Sequence, residues 1–206
     1  MIKHIRFMRR RADVTAEEHR EAWIRYHAPM MAERTQALRY YCVSFPPLGG
    51  VEQPFHNAVM LWYRDVEHWK RAYSAPPPVE NDPTAAMGDR QAGVLLVTDE
   101  QVHIDGPNPL ATSSWYLRRR TDLAPVEDER RLESEITTLM ALDSPPVRLV
   151  TSIVREEAAA APYGALTEIG WATADARRGG DGSAPVRRHF RDAMRLVPAD
   201  LVIVIP

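Results

Sequence analysis

A chain of 206 residues with 45% apolar residues, five Trp and seven Tyr can bury the core of one large or two small domains, which excludes a disordered or fibrous protein. Its 26 Lys and Arg nearly balance 28 Asp and Glu, so there is no wide basic face for a phosphate backbone and nucleic acid is not an expected partner. The single Cys42 can form no internal disulfide and no Cys cluster suggests a metal, so a reducing, cytoplasmic setting is expected.

From Met1 to Phe7 apolar and polar residues alternate, which predicts a strand over 2–9 and neither a signal peptide nor a membrane span. Thr15 and Glu18 have the spacing of a capping box, opening a helix that should stop before Pro29. Arg39 to Phe45 reads as a strand, Pro46 to Gly50 as a turn, and Asn57 to Tyr63 as the returning strand of a hairpin. Asp65 is the expected N-cap of a helix over Val66 to Tyr73; the Pro-rich stretch 76–83 breaks regularity, and Val94 to Thr98 gives a fourth strand. After the linker Gly106-Pro107-Asn108-Pro109 the same order returns. Strands are expected at Trp115–Arg119, Arg148–Arg155, Ala165–Thr173 and Leu201–Ile205. Leu132, Ile136, Leu139 and Met140 mark one helix, and Val186, Phe190, Ala193 and Met194 another.

The return is visible in the residues themselves. Arg9-Arg10-Arg11-Ala12-Asp13 is answered by Arg118-Arg119-Arg120-Thr121-Asp122, an offset of 109 that also pairs Arg39 with Arg148 and Trp62 with Trp171. The expected fold class is therefore α+β, with two ferredoxin-like βαββαβ repeats, 1–105 and 110–206. Two such units in one chain can close their sheets into an intramolecular dimeric α/β-barrel, a pseudo-dimer that hides sheet edges.

Several stretches of the first half resemble the EthD family of the dimeric α/β-barrel superfamily. They are Ile2-Lys3-His4-Ile5, the helix from Thr15 to Trp23, its close Tyr26-His27-Ala28-Pro29, the strand start Leu38-Arg39-Tyr40-Tyr41, and Ala58 to Trp62. The resemblance covers 1–105 and implies a cavity between sheet and helices for a small hydrophobic or aromatic molecule, with no cofactor. It also implies proton transfer by His and Tyr, as in cyclases and isomerases, while related barrels include monooxygenases. Such proteins pair two short chains, so this chain resembles a fused pair, and two such chains could associate again as a homodimer.

Six of the seven histidines lie in the first half, and the 109 offset sends His27 to Ile136, Tyr41 to Val150 and His56 to Ala165. One site per chain, in the first half, is the expectation, because imidazole exchanges a proton near neutrality without large tuning. His27 is the first candidate for acid or base; its alternative is to cap the end of its helix. His56, beside the third strand, is the second proton carrier, and Tyr41 the oxyanion donor if it shares a face with Val43. His4, Trp23, Trp62 and Arg39 are candidates for holding the substrate. His19, His68 and His103 read as solvent residues, and the two arginine tracts as solvated edges. The leading expectation is a cofactor-independent acid–base enzyme, a cyclase, dehydratase, lyase or isomerase acting on an aromatic or polyketide-like metabolite. The alternatives are a cofactor-free monooxygenase and a non-catalytic binding protein.

Overall fold

The computed structural model describes residues 1–74, 87–108, 110–120, 125–155 and 160–205. The Pro-rich stretch 76–83, Pro109, and Thr121 with Asp122 of the second arginine tract lie outside or partly outside these. The chain forms two compact units. Unit 1 comprises Met1–Asp99, Arg155–Ala159 and Pro198–Pro206, and unit 2 comprises Glu100–Val154 and Ala160–Val197. Among the described residues no helix is long and apolar enough to cross a membrane.

Unit 1 begins with β1 (Ile2–Arg10), α1 (Ala16–Ala22), a π-helical turn (Trp23–His27) and α2 (Ala28–Arg34). The capping box is present: Glu18 N–H donates to Thr15 Oγ1 while Thr15 N–H donates to Glu18. The helix does not stop before Pro29. Proline cannot supply its i→i−4 bond and its ring presses on the preceding turn. The chain answers with a wide π turn, closed by Ala28 N–H on the Trp23 carbonyl, which seats Pro29 in the first turn of α2. Then follow β2 (Arg39–Ser44), β3 (Asn57–Tyr63), α3 (Val66–Tyr73, capped by Asp65) and β4 (Gly88–Ile104). Gly49 and Gly50, both at positive φ, make the turn between β2 and β3. The C-terminal β9 (Asp200–Ile205) pairs with β2, so the strand order in unit 1 is β4-β1-β3-β2-β9.

Strand alternation gives this sheet two faces. Ile2 and Met8 of β1, Tyr40 and Cys42 of β2, and Val59, Leu61 and Tyr63 of β3 pack in one cluster with Trp23, Ala28 and Trp69 of the helices. Register places Lys3, Ile5 and Phe7, Tyr41 and Val43, Ala58, Met60 and Trp62 on the other face. Tyr40 and Tyr41 thus point to opposite sides, as alternation requires.

Unit 2 holds β5 (Ser113–Arg119), α4 (Pro125–Met140), β6 (Arg148–Val154), β7 (Tyr163–Gly170), α5 (Ala174–Gly182), α6 (Ala184–His189) and β8 (Ala193–Leu196). Its strand order is β8-β5-β7-β6, the order of β4-β1-β3-β2. The first ladders also match in register. Phe7 faces Ala58 in β1/β3, and the residues 109 later, Tyr116 and Thr167, face each other in β5/β7. The expected helix over 186–194 is corrected: it ends at His189, and Ala193 and Met194 belong to β8. α5 is the element the sequence hid, because Gly179, Gly180 and Gly182 suppress helix propensity. Packing holds it: a Cβ on Gly180 would lie 2.3 Å from the Trp171 ring, so only glycine lets α5 rest on that indole.

Candidate functional site

In unit 1 the buried face of α1 carries His19, Ala22 and Trp23, spaced i, i+3 and i+4. His19, read from sequence as a solvent residue, is 1% exposed, and Nε2 of its ring has no hydrogen-bond partner in the protein. Burial, seconded by His56, Arg10 and His27, brings its pKa down to about 4, so the ring is neutral at physiological pH. Its centroid lies 5.9 Å from Trp23 and 6.0 Å from His56. One turn on, the half-buried His27 lies 3.7 Å from the Trp23 ring on the π turn, where the helix continues past it and leaves no free end to cap. Trp23 Nε1, Tyr40 OH and both amide atoms of Asn57 are likewise buried without partners. Register puts Tyr40 and Asn57 on the helix-bearing face, so four side chains with unsatisfied polar atoms share the layer between that face and the helices. Each such atom costs about 1–3 kcal/mol unless a small polar molecule meets it.

The other sequence candidates fall in three places. His56 is half-buried and fully engaged: its Nδ1 accepts the Arg10 backbone N–H at 3.0 Å and its Nε2–H donates to Glu52 Oε1 at 2.8 Å. A proton on Nδ1 would face the Arg10 N–H, and burial lowers the pKa, so this ring is held as a neutral prop for the end of β1. His4 lies on the helix-bearing face but against α3, where Nδ1 accepts the Trp69 indole N–H at 3.1 Å and the Tyr73 ring lies 5.2 Å away. Burial drives its pKa down to about 3. Tyr41 and Trp62, 4.8 Å apart, occupy the opposite face, with the Lys3 ammonium 5.0 Å from the Trp62 ring. The sheet therefore separates Tyr41 from His27. Arg39, on β2, is exposed.

His68 is half-buried against Tyr63, and half-buried His103 bonds Thr151 Oγ1 at 2.8 Å, which corrects their reading as solvent residues. Cys42 is buried, and burial pushes its thiol up to about 12, leaving it inert. Among the described residues no three His, Cys, Asp or Glu are placed to hold a metal.

Unit 2 has a different lining. The counterparts Ile136, Val150 and Ala165 are apolar, but charged groups enter from other positions. Arg118, expected on a solvated edge, is 4% exposed and pairs with buried Glu135 of α4, which Arg131 also reaches at 3.3 Å. Asp181 of α5 accepts from Ser114 Oγ and from Tyr116 OH, each at 2.7 Å, and from the Arg195 guanidinium. Burial and Asp181 keep the Tyr116 phenol protonated. A cavity of about 320 Å³ opens beside this network.

His19 was detectable in the sequence, since position 19 falls in phase with Trp23 on one helical face. The Asp181 network was not, because it joins residues from β5, α5 and β8 that no local pattern relates.

No family model matches the chain, and no curated protein matches it. Among solved structures it is similar to one described as a "putative monooxygenase" from Lactobacillus acidophilus NCFM, with a TM-score of 0.55 and 13% identity over 98% of this chain and 96% of that one. It is also similar to a "putative monooxygenase" from Fusobacterium nucleatum subsp. nucleatum ATCC 25586, with a TM-score of 0.58 and 8% identity over 98% and 94%. At these identities the likeness shows the fold, a mixed α+β arrangement of antiparallel sheet and helices that the chain shares along nearly its whole length.

Proposed function

We propose that the chain is an enzyme that oxidises a small phenolic or quinol-like molecule with molecular oxygen, using no cofactor, at the helix-side cluster of unit 1. One observation carries this reading: the helix-side layer of unit 1 holds buried polar atoms without protein partners, among them Nε2 of the neutral imidazole of His19. The fold shared with two proteins described as monooxygenases favours oxygen chemistry over the cyclase, dehydratase, lyase or isomerase that the resemblance to EthD proteins implies. Fold alone does not carry function, so the chemistry has to come from the residues.

In this reading the substrate ring lies along Trp23, whose indole is braced by His27, and its hydroxyl reaches His19. An imidazole with a pKa near 4 is a weak base by itself. The phenolate it creates is an opposite charge at contact distance in a dry site, which raises the imidazolium pKa and holds the pair together. The phenolate is electron-rich enough to reduce oxygen directly. Phenol and O₂ become quinone and water: the ring loses four electrons, oxygen gains four, one oxygen atom bonds the para carbon and the other leaves as water. The unsatisfied amide of Asn57, next in the chain to His56 and so at the His19 end of β3, can hydrogen-bond the reduced oxygen.

We also infer that residues 1–105 and 110–206 descend from one βαββαβ unit and form a fused pseudo-dimer. The common strand order supports this; the β1/β3 and β5/β7 ladders agree at an offset of 109, whereas β6/β7 is shifted by one residue from β2/β3.

The test is oxygen consumption with naphthols and quinols under ¹⁸O₂. One labelled atom should appear in the product and one in water, with one O₂ used per substrate. Turnover that proceeds equally well without oxygen would return the protein to proton-transfer chemistry, and tight binding without turnover would make it a binding protein.

A further inference from the structure

We propose a second ligand site, in unit 2, that takes a small aromatic carboxylate. It is independent of the oxidation assigned to unit 1. The cavity there measures about 320 Å³, at the small end of ligand pockets and suited to a single-ring molecule. One wall is aromatic: Tyr116 and Phe190 stack at 4.2 Å with 26° between their planes, and Val186 continues the apolar surface.

The polar lining is four charged groups, Asp181, Arg187, Arg191 and Arg195, a net charge of +2. Asp181 is committed, since its side chain is 7% exposed and accepts from Ser114, Tyr116 and Arg195, so one arginine and the only carboxylate of the lining neutralise each other. Arg187 and Arg191 supply the remaining charge. Arg191 meets Asp192 at 3.1 Å, but both side chains are at least 70% exposed and water screens that pair. Two guanidiniums on α6 and just beyond it therefore face a cavity whose other wall is aromatic. A guanidinium fork matches a carboxylate in two parallel hydrogen bonds, and the wall takes a flat apolar body. Inorganic phosphate would use the charge and leave the wall empty, while a neutral aromatic would do the reverse.

Titration calorimetry of the full chain with benzoate, benzamide and inorganic phosphate tests the site. Benzoate should bind at least about tenfold more tightly than either of the others, and salt should weaken it. Arg187 and Arg191 are exposed, so Arg187→Gln/Arg191→Gln should keep the unfolding midpoint while lowering benzoate affinity about tenfold or more, the worth of a charged hydrogen bond, with benzamide unchanged. Equal affinity for benzoate and benzamide, phosphate binding as tightly as benzoate, no measurable benzoate binding, or an unaltered double variant would each overturn the proposal. None of these outcomes bears on oxygen consumption in unit 1.

Discussion

Beneath the helices of unit 1 the buried titratable groups include His4 and His19, both kept neutral by desolvation. Beneath those of unit 2 they include Arg118 with Glu135, and Asp181 with Arg195 near the edge. The same strand order thus supports two electrostatic solutions. A neutral imidazole can be buried cheaply and still offer a lone pair, so unit 1 can leave polar atoms unsatisfied and available. A buried ion cannot be left alone, so unit 2 has to close its charges into networks, and its exposed cations Arg187 and Arg191 stay at the cavity mouth. Chemistry that moves a proton suits the first arrangement, and recognition of a charged ligand suits the second.

The comparison breaks first if unit 1 is not the reactive one. His19→Gln should lower turnover by about 10²–10⁴, the usual worth of a general acid–base group, with the fold retained. His27→Ala should lower it less, because His27 acts by bracing Trp23. Steady-state kinetics on folded protein check both, and a larger loss at His27 would move the base to that ring. Next, Glu135→Leu should destabilise the chain by about 3–5 kcal/mol, because Arg118 keeps its buried charge and loses its main partner. Adding Arg118→Leu should recover most of that loss, and urea titrations of the single and double variants would show it.

Acid sharpens the contrast. His4 has a native pKa of about 3 against an ordinary 6.5, so between those values the unfolded chain binds a proton that the native chain refuses. Stability is full above about pH 6.5 and falls as the pH drops toward 3. By pH 5 this one group removes about 2 kcal/mol. His19 adds loss of the same sign. Denaturant midpoints at pH 7 and 5 should separate clearly in the wild type and less in His4→Gln, whose amide can still accept the Trp69 N–H.

What the sequence disclosed follows from range. The turn signal at Pro46 to Gly50 and the apolar run that follows it made Asn57 to Tyr63 legible to the residue, and the Thr15 and Glu18 spacing located a real capping box. Both signals are local. The helix past Pro29 was missed because a π turn absorbs the proline, a solution that depends on what the helix packs against. β4 extends from Gly88 to Ile104, well beyond Val94 to Thr98, because ladder bonds to β1 reach back to Gly88 through residues with no alternation of their own. Around the candidate site, Trp23 and His27 stand out in the sequence by type and position, while their neighbour His19 does not, because the residues on either side of it are charged. The bonds of His56 and the network of Asp181 require the folded chain.

The hidden helix of unit 2 gives the finest test, because two adjacent glycines there should respond with opposite signs. At Gly179 nothing lies within 4 Å of an added Cβ, and the position is exposed and helical. Alanine loses less backbone freedom on folding than glycine, so Gly179→Ala should stabilise by about 0.5–1 kcal/mol. At Gly180 the same methyl would meet the Trp171 ring at 2.3 Å, an aromatic wall that is itself fully buried and cannot swing away. Overpacking of this kind costs about 1–3 kcal/mol, more than the helix propensity gained. It would also lift the segment that carries Asp181, so Gly180→Ala should weaken benzoate binding while Gly179→Ala leaves it alone. Thermal midpoints of the two variants decide the sign. If both rose together, α5 would not rest on Trp171, and helix propensity alone would govern it.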